Sequence, residues 1–355
     1  MPGGVKRTPK YGLIFGNQKN IFNKYVPGSG VGALNQSVRK HLIRKAITRQ
    51  VKYKEIVKSY PMIGICYAYY PELITLYNKL NVNSDTFTLI KIKGLEFWRG
   101  IYKNKFELLI FRTGTSIVNA TYQLQLALDH FPITKIIFAG VAGGINPDLS
   151  VGDIVISSQW AYHDECDYLN PTTSTPTSTP TSTPTSTSTS TSTTDDYIIS
   201  PTQDYYGNFG MIFFDEVKVI RDGMTNFEKK QFFPIDKDLL AVAKKVANKT
   251  VPLSINNRKQ VITVGGTGLS GSVFLDNKDY RTTLYSIWKA NCVDMESTAL
   301  AHVAWANNVP IIIIRSLSDL AGGQSGENPI DKNEFNVSEI VINFLLNFID
   351  ELSLQ

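Results

Sequence analysis

Val293-Asp-Met-Glu-Ser-Thr-Ala-Leu-Ala-His302 and the segment that follows it, Val309-Pro-Ile-Ile-Ile-Ile-Arg-Ser-Leu-Ser-Asp319, decide the fold class. The first half reads as a helix from Asp294 to Asn307. The second opens on four consecutive isoleucines, so Pro310 to Ile314 reads as a strand that is apolar on both faces. Such strands belong to parallel sheets covered on both sides by helices. The same texture continues outward. Met62 to Ala68 is a short apolar run, and Pro71 and Glu72 then open a helix to Leu80, with proline and an acid in its first turn. Phe106 to Phe111 is a strand, Ile117 to Phe131 a helix, and Lys135 to Ala139 a strand ending in the glycine-rich turn Gly140-Val-Ala-Gly-Gly144. Asp153 to Ser157 and Gln260 to Val264 are further strands, and Val337 to Leu352 is an amphipathic helix. Strands alternating with helices predict an α/β domain built on a largely parallel sheet.

Composition narrows the function classes. With 355 residues, 43% of them apolar and 19% charged, the chain falls in the ordinary globular class. Cys66, Cys166 and Cys292 are widely spaced and odd in number, which argues against a disulfide framework. His41, His130, His163 and His302 have no zinc-ligand spacing, so neither a metal nor a cofactor is expected. No apolar run is long enough to span a bilayer and the N-terminus lacks a secretory pattern, so a soluble, intracellular and cytoplasmic protein is expected. Residues 1–59 hold thirteen of the 36 basic side chains but one of the 31 acidic ones, giving this segment a charge of +12 and the remainder −7. They read as a basic extension, with a helix from Asn35 to Lys58. Its open readings are a solvated tail, an arm for nucleic acid or an acidic surface, and an organellar address. The glycine-rich Gly28 to Gly32 follows no strand and is discounted as a phosphate loop. The main domain spans residues 60–355. Thr172 to Thr194 contains only Thr, Ser and Pro and reads as a coreless surface insertion within it, open to glycosylation or phosphorylation.

Three segments lie where strands end, the position at which open α/β sheets bind ligands. They are Ala68-Tyr-Tyr-Pro-Glu72, the glycine stretch with Val151-Gly-Asp153, and the block from Val293 to Asp319. Cleavage of a nucleoside C–N bond passes through an oxocarbenium-like ribosyl cation, and the purine leaves readily only when protonated. A site for it needs one carboxyl group as acid, a second carboxylate to activate water, polar groups on the ribose and an aromatic surface against the base. Asp319, Glu72, Glu296 and Phe274 supply these types. Each also has a plain structural reading: Glu72 and Glu296 as helix-dipole acids, Asp319 as a helix N-cap, Arg315 as an ion-pair partner and Phe274 as core.

In combination these motifs resemble the nucleoside phosphorylase/nucleosidase superfamily, and within it the 5′-methylthioadenosine/S-adenosylhomocysteine nucleosidases. The resemblance covers about Met62 to Leu352 outside the Thr/Ser/Pro stretch. It is strongest in the quoted block and in Phe138-Ala-Gly-Val-Ala-Gly-Gly-Ile-Asn-Pro-Asp-Leu-Ser-Val-Gly-Asp-Ile-Val155. It implies a single three-layer α/β/α domain with a mostly parallel, mixed central sheet, acting as a homodimer on a small-molecule nucleoside. It implies that Asp319, supported by Ser318, is the acid at the purine N7/N6 edge and that Glu72 orients the attacking water. Met295 and Glu296 would hold the ribose, Phe274 would stack on the base, and Arg315 would position the carboxylates. Gly143 and Leu275 would complete the substrate pocket. Asp294 stands where the family usually has Glu, and Val141 where the nucleosidases often have Ser or Thr. Trp160 and Tyr162 fall in a region that shapes the 5′-substituent pocket in the family.

Hydrolysis is the expected reaction, because the positions where related phosphorylases carry phosphate-binding arginines are Phe138 and Tyr69-Tyr-Pro71 here. The alternatives are a purine or uridine phosphorylase using Arg112, and a non-catalytic storage or binding relative. The sequence also generates one stability prediction. Deleting Thr172 to Thr194 leaves the melting temperature nearly unchanged in a thermal melt, whereas a large drop shows that the stretch packs on the domain.

Overall fold

The computed structural model describes residues 60–83, 85–169, 211–221 and 223–354. The basic segment 1–59 and the Thr/Ser/Pro stretch 172–194 lie outside them. Strand β1 (Met62–Tyr67) is buried at every position and leads into helix α1 (Tyr70–Leu80). Strands β2 (Phe87–Ile92), β3 (Leu95–Tyr102) and β4 (Phe106–Arg112) precede helix α2 (Ile117–His130). The long strand β5 (Ile133–Gly144) is followed by β6 (Ile154–Ile156), β7 (Gln159–Tyr162) and β8 (Phe233–Pro234). Helix α3 (Lys237–Lys249), strands β9 (Ile262–Val264) and β10 (Thr267–Ser270), and helix α4 (Lys278–Trp288) come next. The chain ends with β11 (Ala290–Asp294), α5 (Ser297–Ala306), β12 (Ile311–Asp319) and α6 (Ile330–Leu352).

Among the described residues these strands form one twelve-stranded sheet, in the order β8-β7-β10-β11-β5-β1-β4-β3-β2, with β12 beside β5 and joined through β6 to β9. The pairs β1–β4, β1–β5, β5–β12, β7–β10 and β10–β11 are parallel. The hairpins β2–β3 and β3–β4 and the contact of β11 with β5 are antiparallel. Helices α1 and α3 pack on α6, and α2 packs on α5, which completes the three-layer α/β/α arrangement. No helix among the described residues is long and apolar enough to cross a membrane.

Four boundaries differ from the sequence reading, one being the start of α6 at Ile330 instead of Val337. Gly140 to Gly144 is not a turn but the end of β5. Its glycines make room for side chains instead of reversing the chain: a Cβ at Gly140 would collide with the Glu72 carboxylate and the Arg315 guanidinium. The isoleucine strand likewise runs on through Arg315 to Asp319, every residue of it buried. Asp319 is therefore the last residue of a strand, not a helix N-cap. The third difference is at Asp294, which ends a strand; the helix starts at Ser297. The Asp294 carboxylate accepts the N–H groups of Glu296 at 3.1 Å and Ser297 at 3.0 Å, which turns the chain from one element into the other. The β2–β3 hairpin, α3 and α4 had no expectation attached to them. The hairpin turns on Lys93 and Gly94, both at positive φ, the conformation that matches the twist of a two-residue connection.

Burial of the isoleucine strand supplies much of the domain's cohesion, because its four isoleucines are almost wholly removed from solvent. Ile313 is 0% exposed. Ile313→Ala leaves a cavity there and lowers unfolding free energy by about 2–5 kcal/mol, read as a reduced urea midpoint at unchanged slope.

Candidate functional site

The ends of β1, β5, β10, β11 and β12 surround one cavity. Eight of the nine residues expected at a site line it: Glu72, Gly143, Phe274, Leu275, Met295, Glu296, Ser318 and Asp319. The ninth, Arg315, lies behind the wall, fully buried. Phe274 is 58% exposed, so the core reading fails for it; it stands on the loop after β10 with Val273 and Leu275.

Glu72 is at the third position of α1, and its placement follows from local chain geometry. One carboxylate oxygen accepts the N–H groups of Ala68 at 2.7 Å and Tyr69 at 3.2 Å, satisfying donors that a helix start leaves open. The other accepts the N–H of Val141 at 3.0 Å. Strand β1 pairs with β5 only up to Phe138, and β11 meets β5 only at Gly143 and Gly144. The Val141 N–H between these contacts is satisfied by a carboxylate. The dipole reading of Glu72 is therefore correct in part, and the same bonds aim the side chain into the cavity.

Behind this wall Arg315 holds three carboxylates together. Its side chain lies 2.8 Å from Asp294, 3.7 Å from Glu296 and 3.9 Å from Glu72. Its guanidinium also lies 3.9 Å above the Phe138 ring, a cation–π contact. Burial works against its charge, but Asp294, Glu72 and Glu296 outweigh this and keep it firmly protonated. Asp294 takes further hydrogen bonds from Ser270 Oγ at 2.6 Å and from the Ser297 hydroxyl, so it is a fixed counter-ion.

The cavity carboxyls respond differently. Burial raises the Glu72 pKa, and Arg315 with the three backbone donors opposes the shift. Burial and the charge of Asp294 push Glu296 up to about 7, against the pull of Arg315. The Ser116 N–H donates to Glu296 at 2.7 Å from the loop after β4. Burial also raises Asp319, opposed by the Ala321 N–H at 2.8 Å and the Ser318 hydroxyl at 2.9 Å. Removal from water thus favours the neutral form of Glu296 and Asp319, the condition a proton donor requires. At Glu72 the Arg315 charge and three N–H donors oppose it in favour of the carboxylate.

Several contributors escaped the sequence reading. Thr115 and Ser116 come from a Gly-Thr-Ser loop at a strand end, and that position was the available signal. Ser270 and Ser297 act through Asp294 and carry no local signal. Trp160 is fully buried against Gly268, and Tyr162 packs edge-on against Phe233 and His302; neither is among the residues lining the cavity. One alternative is corrected. Arg112 is exposed and donates to the Ala68 carbonyl at 3.1 Å outside the cavity lining, so it forms no anion site there.

A model of the phosphorylase superfamily matches residues 68–350. A 5′-methylthioadenosine/S-adenosylhomocysteine nucleosidase of Staphylococcus aureus is 26% identical over 265 residues, covering 74% of this chain and 89% of that protein. The Helicobacter pylori enzyme of the same name superposes with a TM-score of 0.59 at 23% identity, over 82% of this chain and 99% of that one. The futalosine hydrolase of Helicobacter pylori gives a TM-score of 0.58 at 23% identity, over 82% and 98%.

The electrostatics predict a pH signature. Glu296 has a folded pKa of about 7 against an ordinary value of 4.5, so folding takes up a proton between them and stability falls as pH rises through that window. Glu296→Gln has nothing to titrate there. Its stability declines less steeply than that of the parent protein in urea melts across the window, and parallel curves would contradict the assignment.

Proposed function

The chain belongs to the phosphorylase superfamily, and from that premise we propose that it is a nucleosidase, hydrolysing the N-glycosidic bond of an adenine nucleoside. One observation carries the choice of water over phosphate. Four carboxylates (Glu72, Asp294, Glu296 and Asp319) face the cavity, and among the described residues lining it none is Lys, Arg or His. A phosphate dianion would find no cationic side chain in the lining to bind it, whereas a water molecule finds a carboxylate to hold it.

In this reading the base lies between Phe274 and the Asp319 edge of the cavity. Burial raises the pKa of Asp319 and so favours the protonated form, which delivers its proton to N7 as the C–N bond breaks. The bonding pair leaves with the purine, and positive charge develops on the ribose. Glu296 and Met295 hold the sugar, and the surrounding carboxylates stabilise the cation. Glu72, fixed by three N–H groups, orients a water molecule toward C1′ and takes its proton. The products are free base and a ribose derivative. Arg315 does not reach the substrate; it positions the carboxylates. Gly143 lets the base approach β5, since a Cβ there would come within 3.1 Å of Asp319 Oδ1.

The finer assignment is a 5′-methylthioadenosine or S-adenosylhomocysteine type of substrate, a step of methionine salvage, acted on by a homodimer in the cytoplasm. The curated relatives support the substrate. So does the apolar stretch Val273, Phe274, Leu275 and Ile330 on the cavity wall, which suits a thioether better than a free hydroxyl.

Base release from 5′-methylthioadenosine, adenosine and inosine, assayed with and without phosphate, tests the proposal. Adenine release independent of phosphate is the expected result, fastest with the thioether. Strict phosphate dependence would establish a phosphorylase, and no release a binding or storage role. Asp319→Asn lowers kcat by about 10²–10⁴-fold while leaving the circular dichroism melt intact, because an amide has no proton to deliver. Undiminished turnover would remove Asp319 from the mechanism.

A further inference from the structure

Two loops meet beside the cavity. One follows β12 and carries the Asp319 carboxyl; the other follows β10 and carries Phe274 and Leu275. In the first, Gln324 Oε1 accepts the N–H of Leu320 at 3.1 Å and of Gly322 at 3.3 Å. These bonds flank Ala321, which is buried and held at φ 52°, a conformation that residues with a Cβ rarely adopt. The Ala321 N–H in turn donates to Asp319 Oδ1 at 2.8 Å. The same Gln324 reaches across with its Nε2 to Asp276 Oδ1 at 2.7 Å, on the second loop one residue after Leu275.

The two loops touch over more than this bond. A Cβ at Gly322 would run into the backbone of Asp276 and Asn277, and one at Gly323 would lie 2.6 Å from the Arg281 guanidinium. Arg281 is itself tied to the end of β5 by donation to the Gly144 carbonyl at 2.8 Å. The glycines are therefore a condition of close contact between the loops, and Gln324 is the side chain that bonds both.

We propose that Gln324, paired with Asp276, is a positioning residue for the acid: it fixes the turn that orients Asp319 and couples that turn to the loop against which the base packs. The inference rests on the nucleosidase reading and deepens it. Gln324 touches no reacting atom; it acts through Ala321. Displacing the base-side loop would loosen the acid, and a seated base would tighten it, so protonation follows correct occupancy of the pocket.

A two-part experiment on the full chain tests this. Hydrogen–deuterium exchange reads the turn whatever the reaction: Gln324→Ala speeds exchange at least tenfold in peptides covering 318–323, with the rest of the domain unchanged. Kinetics then read the acid. Gln324→Ala slows adenine release from 5′-methylthioadenosine at least tenfold in kcat, with little change in KM. It changes less than twofold the cleavage of a riboside whose p-nitrophenolate leaving group needs no proton. Asp276→Ala reproduces the loss, and Asp276→Asn, which keeps an oxygen acceptor for Gln324, restores most of it. Unaltered exchange, or equal slowing of both substrates, would overturn the proposal. Should the parent protein release no base at all, the nucleosidase reading and with it the acid-positioning role are overturned, while the exchange result still decides whether Gln324 holds the turn.

Discussion

Among the described residues a single buried cation supports this architecture. Arg315 is fully inside the domain, and its charge is tenable there only because three carboxylates and the face of Phe138 surround it. The dependence is mutual. Without the guanidinium, Asp294, Glu72 and Glu296 would be like charges crowded in a poorly solvated space. With it, burial and the charge of Asp294 still push Glu296 up to about 7. A cavity whose carboxyl pKa values are raised by burial is the consequence.

The cluster exists because β5 ends in glycines. Side chains from α1 and β12 converge on Gly140, where no Cβ can be accommodated. β12 pairs with the backbone there on one side, but β1 does not reach it on the other, and the Val141 N–H is satisfied by Glu72 instead. A helix start, a strand interruption and an ion cluster thus meet at one carboxylate. Any change that moved β1 or α1 would be felt first at Glu72, and through it at Arg315.

Asp319 is held by other means. It belongs to β12 but takes its orientation from the turn beyond it, where Ala321 sits at positive φ and donates back. Glu72 is thereby built into the sheet and helix, and Asp319 is set by a loop. Under the proposed nucleosidase reading that division suits a water-orienting group fixed before the substrate arrives and an acid that meets the incoming base.

The α/β class, the apolar strands and the carboxylates around the cavity were legible in the chain itself. Four isoleucines in a row leave no polar face, so a strand buried on both sides is physically required, and the strand ends then mark the site. Residue types did the rest: acids in apolar surroundings at such ends are costly unless they serve a purpose. What the chain could not reveal was distance. Glycines at 140–144 read as a turn, and only the folded arrangement, with Glu72 and Arg315 pressed against Gly140, shows them to be space for other side chains. Ser270, Ser297 and Gln324 are unremarkable locally and gain meaning through partners 24, 3 and 48 residues away. Local pattern fixes what each segment becomes, whereas a hydrogen bond between distant segments depends on how the sheet brings them together.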